Sequence, residues 1–239
     1  MKKYKILNVV SALLVVILAT STVILSVLLA QKDKEAREYS YVERKLEMFE
    51  FENRLFAKEQ IVFIGDSITD LCVLDDYYNE LPFATYNRGI GGDTTKNILN
   101  RLKVSLFDLQ PSKVVLLIGV NDINSNVAED KLLANYRSIL NEITINLPQA
   151  EVFCMSILPM NKTVETSAPI DVDKNNQIIM EINPKIEGIV HEFGYEFVNL
   201  FPSFADSNNC LIEQFSDDGL HLNHNGFVAW SNILKPMLV

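Results

Sequence analysis

Four short clusters of polar residues contain the residue types that acyl-transfer chemistry requires. A serine hydroxyl becomes a nucleophile when an imidazole removes its proton, and a carboxylate can orient that imidazole. Asp218 and His221 are three residues apart, so one turn of the chain can bring the carboxylate against the ring. Backbone N–H groups and a neutral carboxamide can stabilise the oxyanion that such a serine creates. The clusters are Gly65-Asp66-Ser67, Asn87-Arg88-Gly89-Ile90-Gly91-Gly92-Asp93-Thr94, Gly119-Val120-Asn121-Asp122 and Asp217-Asp218-Gly219-Leu220-His221-Leu222-Asn223-His224.

Taken singly, each cluster also has a structural alternative. Ser67 follows an apolar run, where a serine often caps the next helix. The glycine-rich cluster suits a simple turn or a phosphate-binding loop, although Gly89-x-Gly91 lacks the third glycine of a dinucleotide fingerprint. Asn121 suits an Asx turn. A metal site is the last alternative, with four candidate ligands: Asp217, Asp218, His221 and His224.

No other part of the sequence supplies a second group of metal ligands, so the metal site is disfavoured and we expect neither a metal nor another cofactor. Arg88, beside the glycines of the second cluster, is interpreted either as a substrate contact or as one half of a structural salt bridge. Asp93 and Asp122 are interpreted as the residues that hold the loops presenting Gly92 and Asn121. His224 is interpreted as a surface or capping residue of the last helix. The three cysteines, Cys72, Cys154 and Cys210, have no metal-binding or redox spacing.

The elements that must position these clusters are short apolar strands alternating with helical segments. One helix is predicted over 71–81, and in the helical region 175–193 the pair Asn183-Pro184 predicts either a kink or a new helix start. Continuous apolar runs are typical of parallel strands covered on both faces, so the pattern predicts a three-layer α/β fold with a five-stranded parallel sheet. Three of the four clusters directly follow a predicted strand. Ligand sites in such sheets lie outside the carboxyl ends of the strands, so the clusters should meet there. The predicted strands are 61–64, 84–86, 113–118, 151–158 and 196–198.

The four clusters, in this order, resemble those of the SGNH (GDSL-type) hydrolase family over about residues 59–239. The resemblance implies the flavodoxin-like SGNH hydrolase fold. It also implies that Ser67 is the nucleophile, His221 the base and Asp218 the residue that orients it. The oxyanion hole would be formed by the backbone N–H groups of Ser67 and Gly92 and by the Asn121 amide. The sequence departs from the family pattern in two places: Ile68-Thr69, directly after Ser67, and Leu222, directly after His221.

Residues 88–94 are similar to those of bacterial lipase/acylhydrolase and platelet-activating-factor acetylhydrolase-like members. This implies a serine esterase acting on short acyl groups, such as acetyl, carried by a carbohydrate or a small lipid. A lysophospholipase or thioesterase is the alternative within enzymes. A non-catalytic cell-surface binding module is the alternative outside them, and it would be expected to lose at least one residue of the four clusters. The loop 160–174 is predicted to form a wall of the substrate cleft, so the sequence leaves the acyl-chain length open.

The N-terminus predicts a membrane anchor. Residues 6–30 carry no charge and, as a helix, would extend roughly 37 Å, enough to cross a hydrocarbon layer of about 30 Å. Leu28 stands where signal-peptide cleavage requires a small residue, so we expect an uncleaved anchor. Three basic residues lie on each side of this segment, so the positive-inside rule gives no clear orientation. A short N-terminus with three lysines usually stays in the cytoplasm, and we expect this orientation for segment 1–5. The hydrolase domain, 59–239, is therefore expected outside the cell, on a single-pass protein of the cell membrane.

Residues 31–58 lack glycine and proline, and Val42, Leu46, Phe49 and Phe56 form a helical stripe. This pattern predicts a juxtamembrane helix that packs on the hydrolase domain. A dimerising helix over 33–58 is the alternative, so a homo-oligomer is left open. The formal net charge of −10 argues against binding to nucleic acid. The expected partners are thus a small-molecule or glycan ester and the membrane.

Overall fold

The computed structural model describes residues 2–163 and 170–239, and it describes the side chains of these residues except for 2–12 and 38–40. The chain forms two compact units, Met1–Met48 and Phe49–Val239. The predicted loop 160–174 therefore falls partly outside the described residues.

The first unit belongs to a long helix, α1 (Lys2–Glu52). Its large apolar side chains between Leu13 and Leu29 are each more than half exposed, and the mean hydropathy reaches 2.7. The hydroxyl groups in this stretch donate to carbonyls three or four residues earlier, as Thr22 does to Leu18 at 2.7 Å, which satisfies them without water. A helix of membrane-spanning length and composition is therefore present, and a signal sequence has the same two properties.

The second unit contains the five-stranded parallel sheet that the sequence predicts, in the order β2-β1-β3-β4-β5. This is the flavodoxin-like strand order, in which the chain reverses its direction of winding after β2. The strands contain few polar residues because helices cover both faces of the sheet. The strands are β1 (Ile61–Gly65), β2 (Thr85–Gly89), β3 (Lys113–Leu117), β4 (Glu151–Met155) and β5 (Glu196–Val198).

The helices form the two outer layers. On one side α4, α6 and α7 pack next to one another, and on the other α3 packs on α9. Phe63 of β1 lies in the second interface, with its ring centroid 4.9 Å from Tyr78 and 6.1 Å from Trp230. The helices of this unit are α2 (Ser67–Asp70), α3 (Leu74–Tyr78), α4 (Thr95–Leu102), α5 (Val120–Asn124), α6 (Glu129–Asn146), α7 (Val172–Glu192), α8 (Phe201–Phe204) and α9 (His224–Leu238), with a π-helical turn at Lys103–Phe107 and a 3₁₀ turn at Glu213–Phe215.

Two sequence expectations about helices are corrected. A single helix over 71–81 is not formed, because α3 is confined to Leu74–Tyr78. The pair Asn183-Pro184 does not begin a new helix, since α7 continues through it. The Asn183 side chain instead makes two hydrogen bonds to the backbone of Ile157, at 2.9 and 3.0 Å, and so ties α7 to the segment after β4.

The last turn of α1 and the segment that follows it pack on β2. Phe49 is fully buried, and the Phe56 ring stacks on Tyr86 with centroids 4.3 Å apart. Arg88, which is 1% exposed, donates to Glu52 at 2.7 Å and to Asn53 Oδ1 at 3.0 Å. The residues just before the predicted domain start at 59 therefore contribute to the same core as the sheet.

Candidate active site

The parallel register brings the first three polar clusters to one edge of the sheet. Gly65, the last residue of β1, is paired with Gly89 of β2 on one side and with Leu117 of β3 on the other. The residues that follow these three strands therefore leave the sheet at the same level. The fourth cluster reaches this edge from the loop before α9, through the hydrogen bonds described below.

Ser67 is the first residue of α2 and is half-buried. The N-cap of this helix is Asp66, whose side chain accepts from the Ile68 N–H at 3.0 Å. The capping role that serine often takes is thus filled by its neighbour. The Ser67 hydroxyl is left to make a contact across the cleft.

That contact begins a chain of hydrogen bonds. Ser67 Oγ lies 2.9 Å from Nε2 of His221, and Nδ1 of the same ring lies 2.6 Å from Asp218 Oδ2. The other carboxylate oxygen of Asp218 accepts the backbone N–H groups of Leu220 and His221, at 2.9 and 2.8 Å. Because two backbone donors fix the carboxylate, the imidazole that it contacts is held in orientation toward the serine.

The hydrogen bonds around Asp218 keep its carboxylate ionised. Partial burial raises the pKa of Asp218, but the hydrogen bonds from the His221 ring, the His221 backbone and the Leu220 backbone outweigh it and bring the pKa to about 2. An ionised Asp218 accepts the Nδ1–H of His221 and leaves Nε2 free to accept the serine proton. In this arrangement Ser67 can act as the nucleophile, His221 as the base and the Asp218 carboxylate as the group that orients the base.

Two oxyanion-hole candidates follow β2 and β3: Gly92 lies in the loop after β2, and Asn121 lies at the start of α5 after β3. Gly92 has a φ of +82°, in the left-handed region that favours glycine, and a Cβ there would meet no atom within 4 Å. Glycine is thus required by the backbone conformation and not by lack of space. Asn121 donates one Nδ2 hydrogen to the Asp93 carbonyl at 3.0 Å, which ties it to the Gly92 loop and leaves its second hydrogen for another acceptor.

Two carboxylates hold these loops. Asp122 accepts the Thr95 N–H at 2.9 Å and the Thr95 hydroxyl at 2.6 Å, so the turn after β3 is bonded to the start of α4. Asp93 pairs with Arg101 at 2.6 Å. The sequence interpretation expected these aspartates to hold the loops, and the contacts agree with it. It missed Arg101, which looks in the sequence like one of several polar residues on an amphipathic helix.

Asn87 begins the second polar cluster, but the sequence interpretation assigned it no role of its own. Its amide donates to the carbonyls of Thr69 and Cys72, at 2.7 and 2.9 Å, while its Oδ1 accepts the Gly89 N–H at 2.8 Å. These bonds fix the end of the short helix that begins at Ser67. Nothing in the sequence separates this asparagine from an ordinary turn residue.

The remaining candidates have structural contacts. Arg88 is buried, ion-paired with Glu52 and covered by aromatic rings, so of its two interpretations the salt bridge is the one formed. His224 Nδ1 lies 3.1 Å from the Tyr77 hydroxyl, and Asp217 accepts from Asn223 at 2.9 Å. Within the described residues no three metal-ligating side chains converge.

The start of the predicted cleft loop is joined to the fourth cluster. The Asn161 N–H donates to the Gly219 carbonyl at 2.7 Å, and the Asn161 side chain donates to the Leu211 carbonyl at 2.6 Å. The loop after β4 thus leaves the sheet directly beside the Asp218–His221 turn. The rest of this loop includes residues 164–169, outside the described part of the chain.

Comparisons with known proteins agree with this architecture. Residues 63–227 match the GDSL-like Lipase/Acylhydrolase family. The platelet-activating factor acetylhydrolase IB subunit alpha2 of Rattus norvegicus is 28% identical over 180 residues, covering 74% of this chain and 73% of that protein. The human alpha1 subunit is 28% identical over 183 residues, covering 75% of each.

Two solved structures extend the comparison. A Streptococcus pneumonia protein provisionally named for platelet activating factor superposes with a TM-score of 0.81 and 28% identity, covering 88% of this chain and 99% of that one. Axe2, an acetylxylan esterase from Geobacillus stearothermophilus, has a TM-score of 0.60 and 19% identity, covering 76% and 94% of the two chains. At that identity Axe2 indicates a shared fold alone.

Proposed function

The chain belongs to the GDSL-like lipase/acylhydrolase family and is a carboxylic ester hydrolase, and on that premise we propose that it is a membrane-anchored serine esterase for short acyl groups. Acetyl esters of a carbohydrate or a small lipid are the proposed substrates. The observation that carries the proposal is the hydrogen-bonded chain from Ser67 Oγ through His221 to Asp218, at 2.9 and 2.6 Å.

The proposed mechanism proceeds through an acyl-enzyme. Ser67 Oγ attacks the ester carbonyl carbon while its proton passes to Nε2 of His221. The tetrahedral intermediate collapses, the bond to the alcohol oxygen breaks, and His221 protonates the departing oxygen. Water then attacks the acyl carbon and gives its proton to His221, and the second collapse releases the acid and returns the proton to Ser67. Asp218 stays ionised throughout and stabilises the imidazolium.

The proposed oxyanion hole consists of the Ser67 and Gly92 backbone N–H groups and the second Nδ2 hydrogen of Asn121. Removal of one such donor typically costs roughly 10²–10³ in turnover because the charge develops only in the transition state. The support for Asn121 is its bond to the Asp93 carbonyl, which orients the amide beside the Gly92 loop. A non-catalytic binding module is disfavoured because none of the proposed residues is missing from the sequence, and Ser67, His221 and Asp218 are joined by hydrogen bonds.

The preference for acetyl rests on the relatives. The rat and human proteins that are 28% identical over about three quarters of this chain are platelet-activating factor acetylhydrolase subunits. A lysophospholipase is the second candidate, and one observation favours it: Leu71 and Val73, which follow the Ser67 helix, are 55% and 58% exposed and present apolar surface there. A thioesterase would use the same groups.

The proposed location follows from the N-terminal helix. We place residues 6–30 in the membrane as an uncleaved anchor, with the hydrolase unit outside the cell. N-terminal sequencing of the membrane-bound protein tests the anchor, and a start near Gln31 would contradict it. Self-association through residues 33–58 stays a prediction, which crosslinking of the full chain in membranes can test.

A chain-length series tests the substrate proposal. The purified full-length chain in detergent is assayed on 4-nitrophenyl acetate, butyrate, octanoate and palmitate, and also on acetylated xylo-oligosaccharide and lysophospholipid. Ser67→Ala serves as the blank and Ser138→Ala, an exposed serine of α6, as the matched control. We expect kcat/KM to be highest for acetate, with Ser67→Ala inactive and Ser138→Ala unchanged. A maximum at octanoate or palmitate would favour the lysophospholipase instead.

A further inference from the structure

Arg101 lies at the end of α4, yet it is only 5% exposed and all of its contacts are internal. Its Nε donates to Asp93 Oδ2 at 2.6 Å. One terminal nitrogen donates to the Arg88 carbonyl at 2.9 Å and to Ser105 Oγ at 2.7 Å, and the other donates to the Gly65 carbonyl at 3.0 Å. Four partners on different elements thus share one planar cation.

Three of these partners, Gly65, Arg88 and Asp93, belong to the strand ends and the loop that carry the reacting groups. Gly65 is the last residue of β1, two positions before Ser67. Arg88 lies one residue before the end of β2, and Asp93 directly follows Gly92. The guanidinium therefore spans the gap between the strand that delivers the nucleophile and the loop that delivers an oxyanion donor.

The third proposed oxyanion donor is attached to the same point. The Asp93 carbonyl accepts the Asn121 amide at 3.0 Å, while the Asp93 carboxylate accepts Arg101. A displacement of Asp93 would therefore move Gly92 and Asn121 together. Arg101 is bonded both to this residue and to the end of β1.

The shape of the guanidinium is what makes this connection stiff. Its five N–H groups point in fixed directions within one plane, whereas a lysine ammonium is a point charge on a flexible stem. Both side chains of the Arg101–Asp93 pair are 4% exposed, so water cannot replace a lost bond. Removing one partner of a buried pair leaves the other uncompensated.

We propose that Arg101 is a positioning residue for ester hydrolysis, setting the distance between the Ser67 turn and the oxyanion donors without touching substrate. This inference rests on the proposed serine mechanism. Loss of Arg101 should lower kcat and leave KM nearly unchanged, because the oxyanion is bound only in the transition state.

The test compares an ester with its thionoester, in which sulfur replaces the carbonyl oxygen. Sulfur is larger and a weaker acceptor, so an oxyanion hole built for oxygen favours the oxoester. The ratio of the two kcat/KM values does not depend on the fraction of enzyme that is folded. We expect Arg101→Gln in the full-length chain to lower kcat for the oxoester at least about 10-fold, which approaches the effect of losing one oxyanion donor. We also expect it to lower the ratio of kcat/KM for the oxoester to kcat/KM for the thionoester. Arg101→Lys should recover part of both, because it keeps a cation beside Asp93.

Controls separate positioning from general stability. Ile143→Ala removes buried volume from α6, away from the network, so it should lower thermal stability while leaving the ratio unchanged. A wild-type ratio in a folded Arg101→Gln or Arg101→Lys enzyme would overturn the proposal. If Arg101→Gln does not fold, the Arg101→Lys ratio decides. Turnover by Ser67→Ala would instead overturn the proposed function, so the two failures are distinguishable.

Discussion

Two hydrogen-bonded pairs, each formed by a carboxylate and a basic side chain, stand at the same edge of the sheet, and their surroundings differ sharply. The Asp218 and His221 side chains are 53% and 29% exposed, and they are three residues apart in the chain. Asp93 and Arg101 are each 4% exposed, and the Arg101 guanidinium also bonds to the ends of β1 and β2. The Asp218–His221 pair, called the open pair below, is local in sequence and accessible to water. The Asp93–Arg101 pair, called the sealed pair, is buried and connects separate elements.

The difference matches two kinds of task. A histidine that accepts and returns a proton must be able to change its charge, and an accessible position permits this at little cost. An arginine keeps its proton, so it contributes fixed hydrogen-bond geometry rather than proton transfer. Burial increases the free-energy cost of breaking those hydrogen bonds. We therefore expect the open pair to govern turnover and the sealed pair to govern stability and alignment together.

The largest expected effect is on turnover at the open pair. Asp218→Asn retains an oxygen that accepts the Leu220 and His221 N–H groups but no longer stabilises the imidazolium or its tautomer. We expect kcat to fall by about 10⁴ with the unfolding midpoint nearly unchanged. Steady-state kinetics and thermal unfolding of the full-length protein measure both. Asp217→Asn, whose partner is Asn223, is the matched control and should retain activity.

The next effect is on stability at the sealed pair. Arg101→Met leaves the Asp93 carboxylate buried without its cation, so we expect a loss of about 3–5 kcal/mol in the free energy of unfolding. Denaturant unfolding followed by the fluorescence of Trp230, the single tryptophan, provides the measurement. Arg137→Gln breaks an exposed ion pair with Glu192 and should cost less than about 1 kcal/mol. Equal losses in the two variants would contradict the contrast drawn between buried and open pairs.

At Asn121 we expect an effect on the activation free energy that is similar in size to the loss of stability at the sealed pair. Asn121→Ala removes the amide from the proposed oxyanion hole and should lower kcat by roughly 10²–10³ with little change in KM. If Arg101 acts through the same loop, the loss in the Asn121→Ala/Arg101→Gln double variant should be smaller than the sum of the two single losses. Strict additivity of the two activation free energies would separate Arg101 from the oxyanion hole.

The smallest effect concerns pH and Asp66. Burial raises the pKa of Asp66 to about 7, with the Ile68 N–H opposing the shift and Asp93 and Asp122 adding to it. The folded state then binds a proton that the unfolded state releases near pH 4, so the stability from Asp66 should fall as pH rises from about 4 to about 7. Asp66→Asn keeps a cap for Ile68 but does not titrate.

The measurement is the free energy of unfolding of wild type and Asp66→Asn at pH 5 and at pH 8. We expect the stability of wild type relative to the variant to decrease from the lower to the higher pH. An unchanged difference would mean that Asp66 does not titrate in this window.

Much of the fold and of the candidate site could be predicted from the sequence, for identifiable reasons. The strands are continuous apolar runs, and the Asp218–His221 pair is close in sequence, so both leave local patterns. Helix ends were predicted less well: the chain from Leu71 to Leu81 forms one short helix where a longer one was expected. The carboxylates at Asp93 and Asp122 were found because they adjoin glycine and asparagine of the motif.

Arg101 and Asn87 could not be predicted, because their roles depend on contacts between elements that are distant in the sequence. Arg101 bonds to Gly65, which is 36 residues away, and a helix period cannot reveal this. The burial of Arg88 depends similarly on Glu52, also 36 residues away. The sequence allowed both a substrate contact and a salt bridge for Arg88, and three-dimensional packing selects the second.

The central claim is that Ser67 is the nucleophile, and covalent labelling tests it most directly. The full-length protein is treated with a serine-directed fluorophosphonate, digested and analysed by mass spectrometry, alongside Ser67→Ala and Ser138→Ala. The account predicts one modified peptide, containing Ser67, with activity lost in proportion to labelling and no labelling of Ser67→Ala. Complete inactivation with Ser67 unmodified, or wild-type hydrolysis by Ser67→Ala, would contradict it.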